Sequence, residues 1–172
     1  THAELLEKLK YARAVCFDLT FSAEQDPEND QAFGEAIAKH GNVILSGKAT
    51  FSRDQAGELV QGFEAPVETI VASNPALGFV NMATDNDGVV RRPTLVDVNI
   101  FDGFPVPSLG LAVAMEAENI TYEELKLTPG WLQVGKHRIP LDQENRALAT
   151  FYGPMATFKT ISYADVIEGV YK

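Results

Sequence analysis

The chain has 172 residues, 24 acidic against 14 basic, and a formal net charge of −10. That length suits one domain able to bury its own core, and the charge excludes a nucleic-acid face or docking on an anionic leaflet, both of which need clustered lysine and arginine. The single cysteine, Cys16, excludes an internal disulfide.

No apolar stretch approaches the ~20 residues that span a bilayer; the longest, Leu109 to Met115, falls far short. No basic segment followed by an apolar one opens the chain, so no signal peptide is expected. Leu5, Leu6, Leu9 and Ala12 recur at helical spacing and predict a first helix. It runs into Ala14-Val15-Cys16-Phe17-Asp18-Leu19-Thr20-Phe21, a β-prone run that predicts a buried central strand. Within that run Cys16 is expected to be a buried, inert thiol. After the acidic turn at residues 24–28, Asn29 or Asp30 is expected to cap a second helix carrying Phe33, Ile37 and His40, which Gly41 ends. Val43-Ile44-Leu45-Ser46 reads as the next strand. Helix, strand, helix, strand at these lengths predicts βαβ units and a partly parallel sheet.

Residues 52–75 hold Gly57, Gly62, Pro66 and Pro75 without a strong period, and predict a surface connection with at most a helical turn. Gly78-Phe79-Val80-Asn81 reads as a short strand. Asp85-Asn86-Asp87-Gly88 is a turn with glycine where positive φ costs least. Val96, Val98 and Ile100 alternate with Asp97 and Asn99, the mark of a strand with one face in water. Asp102-Gly103 between Phe101 and Phe104 predicts a hairpin. Pro107 and Ser108 start a helix over Leu109 to Glu118 whose apolar residues surround most of its circumference, so it should be buried. Trp131 to Val134 and Arg138 to Leu141 flank Gly135-Lys136 as a second hairpin, and a strand follows at Ala147 to Tyr152. Ser162 with Asp165 resembles a capping box that opens a short helix, closed by Gly169. The expected class is α/β in its mixed α+β form: a single domain over 1–172, with a mixed, partly parallel sheet flanked by helices and β-hairpins in the C-terminal half.

Few residues suggest chemistry. Gly41 to Lys48 is not a phosphate loop: its glycines are one residue too far apart, Ala49 stands where a magnesium-binding hydroxyl should be, and the interior is a strand. The Asp85–Gly88 turn is not a calcium loop, since the register would make Ala83 and Thr94 ligands. His2, His40 and His137 show no metal spacing. Asp18 is either a catalytic carboxylate at a strand end or a partner for loop amides or Arg91. Arg91-Arg92 beside an acidic turn offers fixed forks for a carboxylate or phosphate, or else pairs internally with Asp85, Asp87 or Asp18. Nothing assembles a nucleophile, a base and an oxyanion site, so no catalytic residues, metal or cofactor are expected. The residues by themselves describe a domain that binds or signals.

Several blocks resemble type-2 CHASE domains in that family's order. They are Ala14 to Ser22, Gly41-Asn42-Val43-Ile44-Leu45, and Leu77-Gly78-Phe79-Val80-Asn81 followed by Asp85-Asn86-Asp87-Gly88-Val89-Val90-Arg91-Arg92. They continue with Pro107-Ser108-Leu109, Ile139-Pro140-Leu141-Asp142, Tyr152-Gly153-Pro154 and Ser162-Tyr163-Ala164-Asp165-Val166. The resemblance implies an extracytoplasmic (periplasmic or extracellular) sensor joined through transmembrane helices to a cyclase, histidine kinase or protein kinase. It also implies a further strand before the first helix and another after the last. The resemblance assigns no particular ligand; with the arginine pair, the expected partners are a small, anionic molecule or a periplasmic protein, with homodimerisation as a further option. Arg91 and Arg92 are then the expected ligand contacts, with Asp18, Asn81, Asp85 and Asp87 orienting them. The alternative is an interaction or dimerisation module with no small ligand.

Overall fold

The structure, a computed structural model, describes residues 1–101, 103–154 and 156–170. Its organising element is strand β2 (Val43–Arg53). Val43-Ile44-Leu45 is apolar without alternation, so the strand must be covered on both faces, and none of the three is more than 1 % exposed. In parallel pairing, β1 (Val15–Phe17) takes Val43 to Leu45, and β4 (Ala76–Phe79) takes Ile44 to Gly47. Beyond that point β2 becomes one arm of an antiparallel hairpin with β3 (Leu59–Glu64).

Backbone groups of a strand point to its two edges in alternation. The Val15 N–H donates to the Asn42 carbonyl, whereas the carbonyl of Gly47 accepts from Val80 and both backbone groups of Ala49 bond the Asn81 amide. Even-numbered residues of β2 therefore face β1, odd-numbered ones face β4, and β3 continues along the edge that β1 leaves. This cuts the predicted strand 14–21 short at Phe17. The chain turns off the sheet instead, its Leu19 carbonyl accepting from Ser46 Oγ at 2.8 Å and its Phe21 carbonyl from Val67 N. β1 is thus an edge strand and not a central one, and Cys16 is exposed where a buried thiol was expected. Its reactivity stays low all the same, because partial burial and then the charge of Asp18 push the thiol pKa up.

Two helices cover one face of the sheet: α1 (His2–Lys8) and α2 (Pro27–His40). Leu5, Leu6, Phe33 and Ile37 meet Val15, Phe17, Val43 and Leu45 in one core cluster. The N-cap of α2 is Asp26, not Asn29 or Asp30: Pro27 presets the first turn, and the Asp26 carboxylate accepts from Glu28 N at 3.1 Å. On the other side α4 (Leu109–Glu118), capped by Ser108, packs over β4 and β2. Leu111, Ala112 and Met115 are buried, but Gly110 and Ala114 face water, so the helix is buried on one side only. Arg13, just before β1, donates to the Ala117 carbonyl and ties the end of α4 to the sheet.

The predicted connection at 52–75 contains β3 and α3 (Glu68–Val71). Sequence pattern missed β3 because none of its residues is buried, so no alternation marks it. The second half carries the hairpin β5 (Val96–Phe101) and β6 (Phe104–Pro107); its predicted turn residue Asp102 lies outside the described residues. A three-stranded antiparallel sheet follows, of β7 (Leu125–Thr128), β8 (Trp131–Val134) and β9 (His137–Pro140). Leu125, Leu132 and Val134 close a second core with Val96, Leu111 and Met115. Residues 147–152, expected as a strand, form none: the bridge beside residues 91–94 joins Thr94 to Arg146, and Ala147 and Ala149 add backbone bonds. The chain then crosses the surface to α5 (Tyr163–Glu168), which leans Val166 and Ile167 on the first core. The class read from the sequence, mixed α+β with a partly parallel sheet and C-terminal hairpins, is the one observed.

The seat of α4 depends on Gly78. A Cβ there would lie 2.5 Å from the Leu109 Cα and 2.8 Å from its nitrogen, both backbone atoms that cannot swing aside. Gly78→Ala should therefore cost about 1–3 kcal/mol or more of unfolding free energy. Gly110→Ala, on the same helix with nothing within 4 Å, should be neutral or gain up to about 1 kcal/mol. Urea denaturation of the two variants checks the contrast.

Candidate functional site

The adjacent arginines diverge. Residues 91–94 run beside 146–149, with the Arg91 carbonyl accepting from Ala149 N and the Pro93 carbonyl from Ala147 N. Arg91 turns back to the preceding acidic turn, in which Gly88 takes φ 80° and its N–H donates to the Asp85 carbonyl. Arg91 Nη1 meets Asp85 Oδ2 at 3.0 Å and Asp87 Oδ1 at 2.9 Å, and Nη2 meets Asp87 Oδ2 at 2.8 Å. This two-pronged grip on Asp87 is the geometry a guanidinium favours with a carboxylate. It holds the Asp87 carboxyl below its usual range, with help from the Val89 amide. The turn and Arg91 are therefore a closed ionic unit of two carboxylates and one guanidinium.

Arg92 goes the other way. Its Nε stands 3.9 Å from Asp142 Oδ2, and its terminal amino groups meet no partner among the described residues. Asp142 organises the loop after β9. Its Oδ1 accepts from the Glu144 and Arg146 amides, both at 2.9 Å, and its Oδ2 from Arg146 Nε and Nη2, both at 3.1 Å. Those bonds, the Arg146 amide foremost, lower its pKa. Arg146 also pairs with Glu144 at 3.0 Å.

The other expected site residues lie elsewhere. Asn81 copies a strand residue: its side-chain oxygen accepts from Ala49 N at 2.7 Å and its Nδ2 donates to Ala49 O at 2.9 Å, so it prolongs the pairing of β4 with β2. Asp18 is exposed at the end of β1. No bond or ion pair among the described residues joins either one to Arg91 or Arg92. The structure thus unites Arg91, Asp85 and Asp87, and sets Arg92 beside a carboxylate that the sequence reading left out. Its only sequence signal was Asp142 at the end of Ile139-Pro140-Leu141-Asp142, with Arg146 four residues on.

The histidines are separate too. His40 lies in the last turn of α2 with Nε2 3.2 Å from the Leu9 carbonyl, and His137 pairs with Glu118 at 2.9 Å. His2 packs against Phe17, Phe21, Phe33 and Tyr163, with Nδ1 3.1 Å from the Tyr163 hydroxyl; burial, then the terminal amine, lowers its pKa. Among the described residues no group of three or more His, Cys, Asp or Glu could hold a metal ion, and no helix is long and apolar enough to cross a membrane.

The fold is a helix-flanked mixed sheet with its ion pairs gathered on loops. The family model described as CHASE2 domain matches residues 1–172. The chain belongs to that family, the extracytoplasmic sensor domains of membrane receptors. Curated proteins and solved structures return no match to it.

Both lowered carboxylates contribute stability that is present above the usual aspartate pKa of 3.8 and is lost as pH falls through their lower native values. Carboxyl carbon NMR titration should find both midpoints below 3.8. Arg91→Ala should raise the Asp87 midpoint and leave that of Asp142 in place.

Proposed function

We propose that the chain is the signal-input domain of a bacterial transmembrane receptor, binding a small anionic molecule and passing the change to a cytoplasmic cyclase or kinase. The observation that carries ligand sensing is the unengaged end of the Arg92 guanidinium, since a cation left open to solvent beside a built loop is a ready anion contact. The ion-paired Arg91 turn supports it as scaffold, holding residues 91–94 in place. Sensing would be a population shift, in which ligand favours one of two arrangements by its difference in affinity. α1 and α5 pack together through His2 and Tyr163, so movement of either is felt by the other.

The outer edge of β1 supports a further strand. Cys16 turns its N–H and carbonyl away from β2, and neither meets a backbone partner among the described residues. α1 and α2 share one face of the sheet. A right-handed crossover would set a strand leading into α1 on that open edge, parallel to β1.

A second reading, an interaction or dimerisation module, is favoured by the stretch that crosses the surface before α5. Leu148 is 73 % exposed, Phe151 69 %, Tyr152 77 % and Phe158 72 %, an apolar content of the kind that marks contact surfaces.

The test is thermal melting of the domain with fractionated small-molecule pools and, separately, sedimentation at rising protein concentration. Ligand sensing predicts that an anionic fraction raises the melting temperature by several degrees. No shift with any fraction, together with concentration-dependent dimers that Phe151→Ser abolishes, would establish the second reading instead.

A further inference from the structure

The hairpin of β2 and β3 runs on past the pairing of β2 with β1 and β4, and the outer edge of β3 is open. The Asp54 N–H donates to the Glu58 carbonyl at 3.0 Å, and both backbone groups of Ala49 go to Asn81. Even-numbered residues therefore carry the bonds between the two strands. Odd-numbered Leu59, Gln61 and Phe63 turn their N–H and carbonyl groups away from β2, and none of these groups meets a partner among the described residues. β5 reaches β3 through side chains, with Gln61 Nε2 on Asp97 Oδ2 at 2.7 Å and the Phe63 ring against that of Phe101. Farther out, Leu59 is 64 % exposed and Val60 44 %. Strand edges are ordinarily blunted by charge, proline, a bulge or a cover. Leu59-Val60-Gln61-Gly62-Phe63 has no charge and no proline. Its register on β2 runs unbroken, from Lys48 with Glu64 to Arg53 with Leu59.

We infer that this edge is a contact between two copies of the chain, β3 of one pairing antiparallel with β3 of the other about a twofold axis. The two hairpins then form one continuous sheet in the order β2, β3, β3, β2. Bare N–H and carbonyl groups along an edge are complemented by another extended strand, and a twofold axis lets the same edge serve on both copies. Bonds and charges choose the register, since outward groups pair odd residues with odd. Centring on Gln61 would set Glu58 against Glu64 of the second copy, like charges directly opposite. Centring on Gly62 would set Val60 against Glu64, on the half of β3 that β5 holds. Centring on Val60 sets Leu59 against Gln61 and Glu58 against Gly62, and opposes no like charges. It also brings the two exposed Val60 side chains together on one face. The contact uses neither Arg92 nor residues 148–158, so it is independent of both readings above.

The experiment is sedimentation of the 172-residue chain at rising concentration, with disulfide trapping alongside. The chain should dimerise. Gln61→Pro removes an outward N–H from an edge strand, where proline is tolerated, and should weaken dimerisation about tenfold or more. Gln61→Ala, which loses the bond to Asp97 but keeps that N–H, should leave it within about twofold, as should Phe151→Ser. Unchanged circular dichroism of both Gln61 variants checks the fold. In a Cys16→Ser background, Val60→Cys should oxidise to a disulfide-linked dimer. Residues opposed at a position without hydrogen bonds lie about 4.5 Å apart at Cα, within disulfide reach. Ser52→Cys, beside Val60 on β2, should stay monomeric, since its copies would stand three strand spacings, ~14 Å, apart. A dimer that Phe151→Ser abolishes and Gln61→Pro spares overturns this contact and leaves the interaction reading in place. Monomer at every concentration, with no disulfide through Val60→Cys, overturns it too and leaves ligand sensing to its own test.

Discussion

Strand β2 carries three pairings on two edges, and the rest of the N-terminal half follows from how they are shared. Its first five residues are held by β1 and β4 in parallel, and its remainder by β3 in antiparallel. Because β1 and β3 use the same edge, one must stop where the other begins. The stop at Phe17 sends residues 18–26 off the sheet, where the Leu19 and Phe21 carbonyls find Ser46 and Val67. On the opposite edge β4 ends at Phe79, and the amide of Asn81 meets the next pair of backbone groups. A buried Ala49 with unmatched backbone groups would be costly, so the asparagine keeps β2 straight at the point where the sheet changes partners.

That arrangement positions the polar surface of the second half. α4 seats on Gly78 through its first turn and supplies Leu111 and Met115 to the second core. The same core receives Leu125, Leu132 and Val134 from the β7–β9 sheet. The loop after β9 is then stiffened by Asp142, whose carboxylate gathers two amides and one guanidinium. The Asp85–Asp87 turn is stiffened in the same way by Arg91. Two compact ionic loops therefore flank residues 91–94, one held through Arg91 and the other facing Arg92 Nε across 3.9 Å. Surface ion pairs contribute little to global stability as a rule; their value here is in fixing the course of the chain.

The apolar surface of residues 148–158 and the open edge of β1 are the other features of this exterior. An unpaired strand edge is a liability unless it is covered, short or charged. β1 is only three residues long and is followed by Asp18, which limits indiscriminate pairing. In the stretch 148–158, Leu148, Phe151, Tyr152 and Phe158 stay exposed, with Tyr152 and Phe158 meeting edge-on at 6.4 Å. This stretch is a part of the surface suited to a protein contact, and it begins beside residues 91–94, where the Ala149 N–H donates to the Arg91 carbonyl.

Local chemistry determined the elements that announce themselves by burial or by caps. α1, α2, β2, β4, α4, the β8–β9 hairpin and α5 were all legible, because their apolar spacing, Ser108 and Ser162 caps, and closing Gly41 and Gly169 act over a few residues. The family was legible from blocks of the same kind. Tertiary structure decided what no short window contains. It made β1 an edge strand, exposing Cys16, because β3 competes for β2. It placed β3, whose residues are nowhere buried and so show no period, and β7, where Leu125 and Leu127 alternate with Lys126 and Thr128 over only four residues. It also separated Arg91 from Arg92, since the partner of Arg92 lies 50 positions along the chain at Asp142. Which carboxylate neutralises which guanidinium depends on how distant loops are brought together, and that is settled by packing of the two cores, not by neighbours in sequence.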